Sequence, residues 1–77
     1  MKATRKEWED ELFKHAAYFT TVRIHGVGQR TRREFRTLQE ALDDAKPDAR
    51  AMVYCVAGDG LSFMIPRSEW KQRLEKA

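Results

Sequence analysis

Apolar residues at the start of the chain recur at helical spacing. Trp8, Leu12 and Ala16 fall at i, i+4 and i+8, which places them on one stripe of a helix over residues 4–16. Phe13 widens that stripe. Thr4 and Glu7 have the capping-box spacing, in which each side chain satisfies a backbone N–H at the helix start. Glu7, Glu9, Asp10 and Glu11 suit the positive end of the helix dipole. From residue 18 the pattern becomes strict alternation: Tyr18, Thr20, Val22 and Ile24 against Phe19, Thr21, Arg23 and His25. Alternation predicts a strand over 18–25. Gly26-Val27-Gly28 follows as a turn whose glycines accept positive φ. Residues 30–36 return as a second strand, with Thr31, Arg33 and Phe35 on one face and Arg30, Arg32, Glu34 and Arg36 on the other. Val22, Ile24 and Phe35 are expected to point into the core. The opposite face then collects Arg23, His25, Arg30, Arg32 and Arg36, with Arg33 near the turn or the sheet edge.

The same succession recurs in the second half. Thr37 and Glu40 form another capping box, and Leu38, Ala41, Leu42 and Ala45 give a narrow apolar helical face that Pro47 ends. Residues 51–57, Ala-Met-Val-Tyr-Cys-Val-Ala, are apolar on both faces, as suits a central strand. Gly58-Asp59-Gly60 is a tight hairpin connection, and residues 61–65 return as a strand closed by Pro66. Ser68 is placed to cap a last helix that carries Trp70 and Leu74 at i, i+4 and Lys71, Arg73 and Lys76 toward its C-terminal end. The order α-ββα-ββα predicts a single small α+β domain over residues 1–77. Its four-stranded antiparallel sheet comprises two β-hairpins, with helices mainly on one face. A chain this short buries only about 60% of its unfolded surface, so its net stability is a few kcal/mol.

Charge changes the picture, because it is localised. The chain carries a formal net charge of +3. Residues 16–36 hold five arginines and one acid, hence five minus one, or +4, and the rest sums to three minus four, or −1. The segment contains no lysine. Lysine would serve solubility equally well, whereas the planar guanidinium donates bidentately to phosphate or guanine. A two-stranded ribbon also fits the major groove of DNA. The expected nucleic-acid-binding residues are Arg23, His25, Arg30, Arg32, Arg33 and Arg36. Thr20, Thr21, Gln29, Thr31 and Thr37 would supply phosphate contacts. The partner would be DNA or RNA, or an acidic protein. The plain reading of the same residues is a solvated sheet face.

A family resemblance bears on this. Tyr18, Val22-Arg23-Ile24, Gly28-Gln29-Arg30, Glu34-Phe35-Arg36-Thr37 and Glu40-Ala41 resemble the small sheet-plus-helix DNA-binding domains of phage-type tyrosine recombinases and of plant ethylene-response factors. The resemblance lies within residues 18–46. It implies a sheet face that reads DNA with a helix packed behind it, and contacts from Arg23, Arg30, Arg32 and Arg36. Residues 51–77 add a second hairpin and helix to that pattern.

Other chemistry finds little support. Cys55 is the single cysteine, so no intramolecular disulfide forms; it sits in the most apolar strand, as a small hydrophobe does. His15, His25 and Cys55 have no zinc-ligand spacing. The Gly-Val-Gly turn joins strand to strand and lacks the helix N-terminus of a phosphate cradle. Asp43, Asp44 and Asp48 match no calcium loop and are expected to face solvent, or to pair with a basic patch on another copy. The expectation is therefore a cytoplasmic non-enzyme that needs no cofactor or metal and has no membrane span or signal-peptide core. The rival function is a protein-interaction module or small inhibitor, possibly homodimeric, that uses an apolar sheet face left open by short helices.

Overall fold

In the computed structural model, which describes residues 4–76, Thr4 caps helix α1 (Arg5–Lys14), its hydroxyl accepting from the Glu7 N–H at 3.2 Å. The ends of the expected domain, residues 1–3 and 77, lie outside the described residues. Leu12 is buried and Phe13 packs against the core, but Trp8 is 41% exposed. The helix stops earlier than its apolar spacing suggests. Ala16 already belongs to strand β1 (Ala16–Gly26), where it pairs with Ala57. The run Tyr18-Phe19-Thr20-Thr21-Val22, rich in aromatic and β-branched residues, favours the ladder over a further helical turn.

Strand β2 (Gln29–Phe35), helix α2 (Leu38–Ala45), strands β3 (Met52–Ala57) and β4 (Ser62–Ile65), a 3₁₀ turn (Arg67–Glu69) and helix α3 (Trp70–Lys76) complete the α-ββ-α-ββ-α order. One antiparallel sheet runs β2-β1-β3-β4. Strand β3 lies between β1 and β4, the central position that its apolar run suggests. Thr37 caps α2, its hydroxyl accepting from the Glu40 N–H at 3.3 Å and donating to the Glu40 carboxylate at 2.9 Å, and Leu38, Ala41, Leu42 and Ala45 are all buried. Gly28 and Gly60 hold φ of 76° and 92° at the two hairpin turns, where a Cβ would be strained.

The register assigns the faces. Phe19 stands opposite Phe35 on one side and Cys55 on the other, and Cys55 stands opposite Phe63. Residues that face each other across an antiparallel ladder point the same way. Phe19, Val53, Cys55, Phe63 and Ile65 therefore share the buried face, and they form the core with Leu12, Leu38, Leu42 and Trp70. Phe35 packs against this core while staying half-exposed. The other face, termed the open face, is more exposed, although Thr20 and Val56 on it are 2% and 7% exposed.

Here the expected phase of β1 is corrected. Val22 pairs with Arg32 and Ile24 with Arg30, so both apolar residues lie on the open face. Arg23 and Arg33 lie on the helix side. Phe19 packs edge-on against Phe13 of α1, with ring centroids 6.0 Å apart, and the phase this contact sets carries every second residue with it. In the second hairpin, Tyr54 pairs with Met64, so Met52, Tyr54 and Met64 share the open face and Phe63 does not join them. Ser68 caps nothing; it lies inside the 3₁₀ turn, whose N-cap is Pro66. Trp70 is buried and donates its indole N–H to the Ile65 carbonyl at 3.0 Å. Arg73, expected at a solvent-facing helix end, is 3% exposed.

Candidate nucleic-acid interface

The hairpin that carries the arginines is longer than the sheet behind it. Strand β1 pairs with β3 only as far as Val22 and Met52, yet continues to pair with β2 out to Gly26 and Gln29. Its tip is thus a two-stranded ribbon, with Val27 fully exposed at the turn. Sequence alternation distributes the cations of this ribbon to both sides.

On the helix side, Asp44 of α2 organises two of them. Its carboxylate accepts from the Thr21 hydroxyl at 2.8 Å and from Arg33 Nη1 at 2.9 Å, and lies 3.4 Å from Arg23 Nη2. Arg23 also donates to the Asp44 carbonyl, and its Nε is buried without a hydrogen-bond partner. Burial pushes the Asp44 carboxyl upward, but the Thr21 hydroxyl and the two guanidinium groups outweigh it and hold the group below the ordinary value of 3.8. Arg23 and Arg33 are therefore engaged within the chain, which corrects the expectation that Arg23 joins the exposed arginine face. Asp44 itself pairs within the chain, not with solvent or another copy. His25, also on the helix side, hydrogen-bonds the Thr31 hydroxyl at 2.6 Å and is exposed.

The open side keeps Arg30 and Arg32, and exposed Arg36 follows the end of β2. Among the described residues neither Arg30 nor Arg36 has an acidic partner within ion-pair distance, and Arg32 lies 3.8 Å from Glu34, both exposed. Next to this cationic strand, β1 and β3 present an uncharged floor. Thr20 and Tyr54 face each other across it, and Tyr18 is one step diagonal from Tyr54. Ile24 and Met64 are 45% and 43% exposed. Neither tyrosine stood out in the sequence, because alternation alone does not say which face the helices cover.

A second charged cluster lies between the helices. Arg73 ion-pairs with Asp10 and, at 3.8 Å, with Glu69, and its guanidinium lies 5.3 Å from the Phe13 ring centroid and 5.4 Å from that of Phe63. The Arg73 hydrogen bond holds the Asp10 carboxyl below its ordinary value. A cleft of about 460 Å³ opens beside it, lined by Phe13, Lys14, Phe19 and Lys76 as well as by the pair. Cys55 is fully buried, and that burial pushes its thiol up to about 11 even with Arg73 nearby. No group of three or more His, Cys, Asp or Glu among the described residues is arranged to hold a metal, and no described helix is long and apolar enough to cross a membrane.

Comparison with protein-family models, with curated proteins and with solved structures finds no significant match to this chain.

Proposed function

We propose that this protein is a small nucleic-acid-binding or accessory protein that engages its ligand through the open sheet face, with Arg30, Arg32 and Arg36 as the phosphate contacts. The observation that carries this reading is the separation of the arginines. Asp44 neutralises Arg23 and Arg33 behind the sheet, while the remaining three project toward solvent with one acid, Glu34, among them. Exposed guanidinium groups bind phosphates with at most one surface ion pair, Arg32–Glu34, to exchange. The resemblance to sheet-face DNA-binding domains supports the same surface, with Arg23 and His25 withdrawn from the contact set because both lie on the helix side.

The triple variant R30A/R32A/R36A tests it. All three positions are exposed, so stability should change by no more than about 0.5 kcal/mol per site. Affinity for oligonucleotides at low salt should fall at least roughly tenfold, with a shallower salt dependence, because fewer counterions are released on binding. Unchanged affinity in fluorescence anisotropy would remove this surface from the reading.

A second reading, a protein-interaction module that associates with another copy, draws on the exposure of Ile24 and Met64. Light scattering up to millimolar concentration decides it: a constant mass of 9.0 kDa excludes self-association through this face.

A further inference from the structure

Resting on the reading that the open face binds nucleic acid, we propose that its ligand is a single strand, laid across the sheet with its bases on Tyr18 and Tyr54 and its phosphates along β2. The face is divided lengthwise by chemistry. Its charged residues on the strands, Arg30, Arg32 and Glu34, all belong to the edge strand β2, and the open-face residues of β1, β3 and β4 are uncharged. A single-stranded nucleic acid has the same division. One side is a row of phosphates, and the other is a row of flat, largely apolar bases, each of which offers a π-face.

The two tyrosines have the arrangement stacking needs. They occupy neighbouring strands in the middle of the sheet, on diagonal positions roughly 7–8 Å apart at the backbone. Both are half-exposed. The Tyr54 hydroxyl has only a weak donor contact to Met52 Sδ at 3.8 Å. The ring is thus free of strong hydrogen bonds that would resist a stacked base. Thr20, directly opposite Tyr54, is small and 2% exposed, and it forms a closed, uncharged stretch of floor between the rings and the arginine strand.

A duplex does not suit this floor. Its bases are already stacked and paired, so it presents phosphates and groove edges but no free π-face to the tyrosines. A second copy suits it less well than a single strand does. Face-to-face pairing would remove Arg30 and Arg32 from water with only Glu34 per chain to compensate.

The test compares an oligothymidylate of about twelve nucleotides with the same strand in duplex form, by fluorescence anisotropy on the full chain and its variants at low salt. The chain should bind the single strand more tightly than the duplex. Tyr54→Leu should weaken single-strand binding roughly fivefold to hundredfold and leave duplex binding unchanged, whereas Tyr54→Phe, which keeps the ring, should match wild type. Tyr18→Leu should behave as Tyr54→Leu does, and thermal melts confirm that each variant is folded. Equal affinity for the two forms, with no effect of either leucine, overturns the single-strand proposal and leaves the polyanion reading standing. Binding to neither form overturns both. A doubled mass that reverts in Tyr54→Leu assigns the face to a second copy and also overturns both.

Discussion

Phe63→Ala is expected to leave the chain substantially unfolded at room temperature. Phe63 is 6% exposed and stands opposite Cys55 at the centre of the helix-covered face. Its ring also supports the guanidinium of Arg73, itself buried. Truncating a buried phenylalanine costs about 3–5 kcal/mol. The void here would also lie beside a buried cation that relies on aromatic packing as well as on Asp10 and Glu69. A chain of 77 residues holds only about 3–5 kcal/mol in total, so the loss is comparable with the whole. Far-ultraviolet circular dichroism against urea provides the measurement. A cooperative transition at the wild-type midpoint would place Phe63 outside the core.

The second large effect is expected at Asp44. One carboxylate accepts from Thr21 and pairs with Arg23 and Arg33, tying α2 to both strands of the first hairpin. In Asp44→Ala the buried Thr21 hydroxyl loses its acceptor, and Arg23, with one nitrogen already unpaired, loses its counter-charge. The expected cost is about 2–4 kcal/mol, since a buried group left unsatisfied forfeits its desolvation energy. The sign of the pH dependence follows from the depressed carboxyl. The contribution of Asp44 is fully present above its unfolded value near 3.8 and is lost as pH falls through the lower folded value. Urea midpoints for wild type should therefore fall between pH 5 and pH 3 more steeply than those of Asp44→Asn, which has no proton to gain there. Parallel slopes for the two proteins would show that Asp44 is not the linkage site.

Asp44 also marks where sequence reading stopped. Every element of the fold is visible in local signals: the two capping boxes at Thr4 and Thr37, the glycine turns at 26–28 and 58–60, and the switch from helical spacing to alternation. These signals act over a few residues, and the chain keeps most of them; the exceptions are Ser68, which lies inside a 3₁₀ turn, and the last turn expected of α1, which gives way to β1. What alternation does not contain is which of two faces the helices will cover. Tyr18, Thr20, Val22 and Ile24 are together the more apolar set of β1, yet Phe19, opposite Cys55 and Phe35, decided the phase. The charge that this phase drew inward, Arg23, is accommodated because Asp44, two turns along α2, reaches both it and the exposed Arg33. Those contacts join residues 21 and 11 apart in the chain. The buried Arg73 was hidden for the same reason, since its partner Asp10 lies at the other end of the chain. The arginine cluster was legible as composition; its division into an engaged and a free group depends on these long-range pairs.

The burial of Cys55 turns the single thiol into a clock for the core. Its sulfur lies on the covered face of the central strand, and its raised pKa keeps it in the unreactive protonated form at neutral pH. An alkylating reagent meets it only when the helices lift from the sheet. The labelling rate divided by that of a free thiol then gives the opening equilibrium, so long as reclosing outpaces the chemistry. The chain thereby reports its own local unfolding without any added probe, and a ligand on the far face that tightens the sheet would register as slower labelling at a residue it never touches.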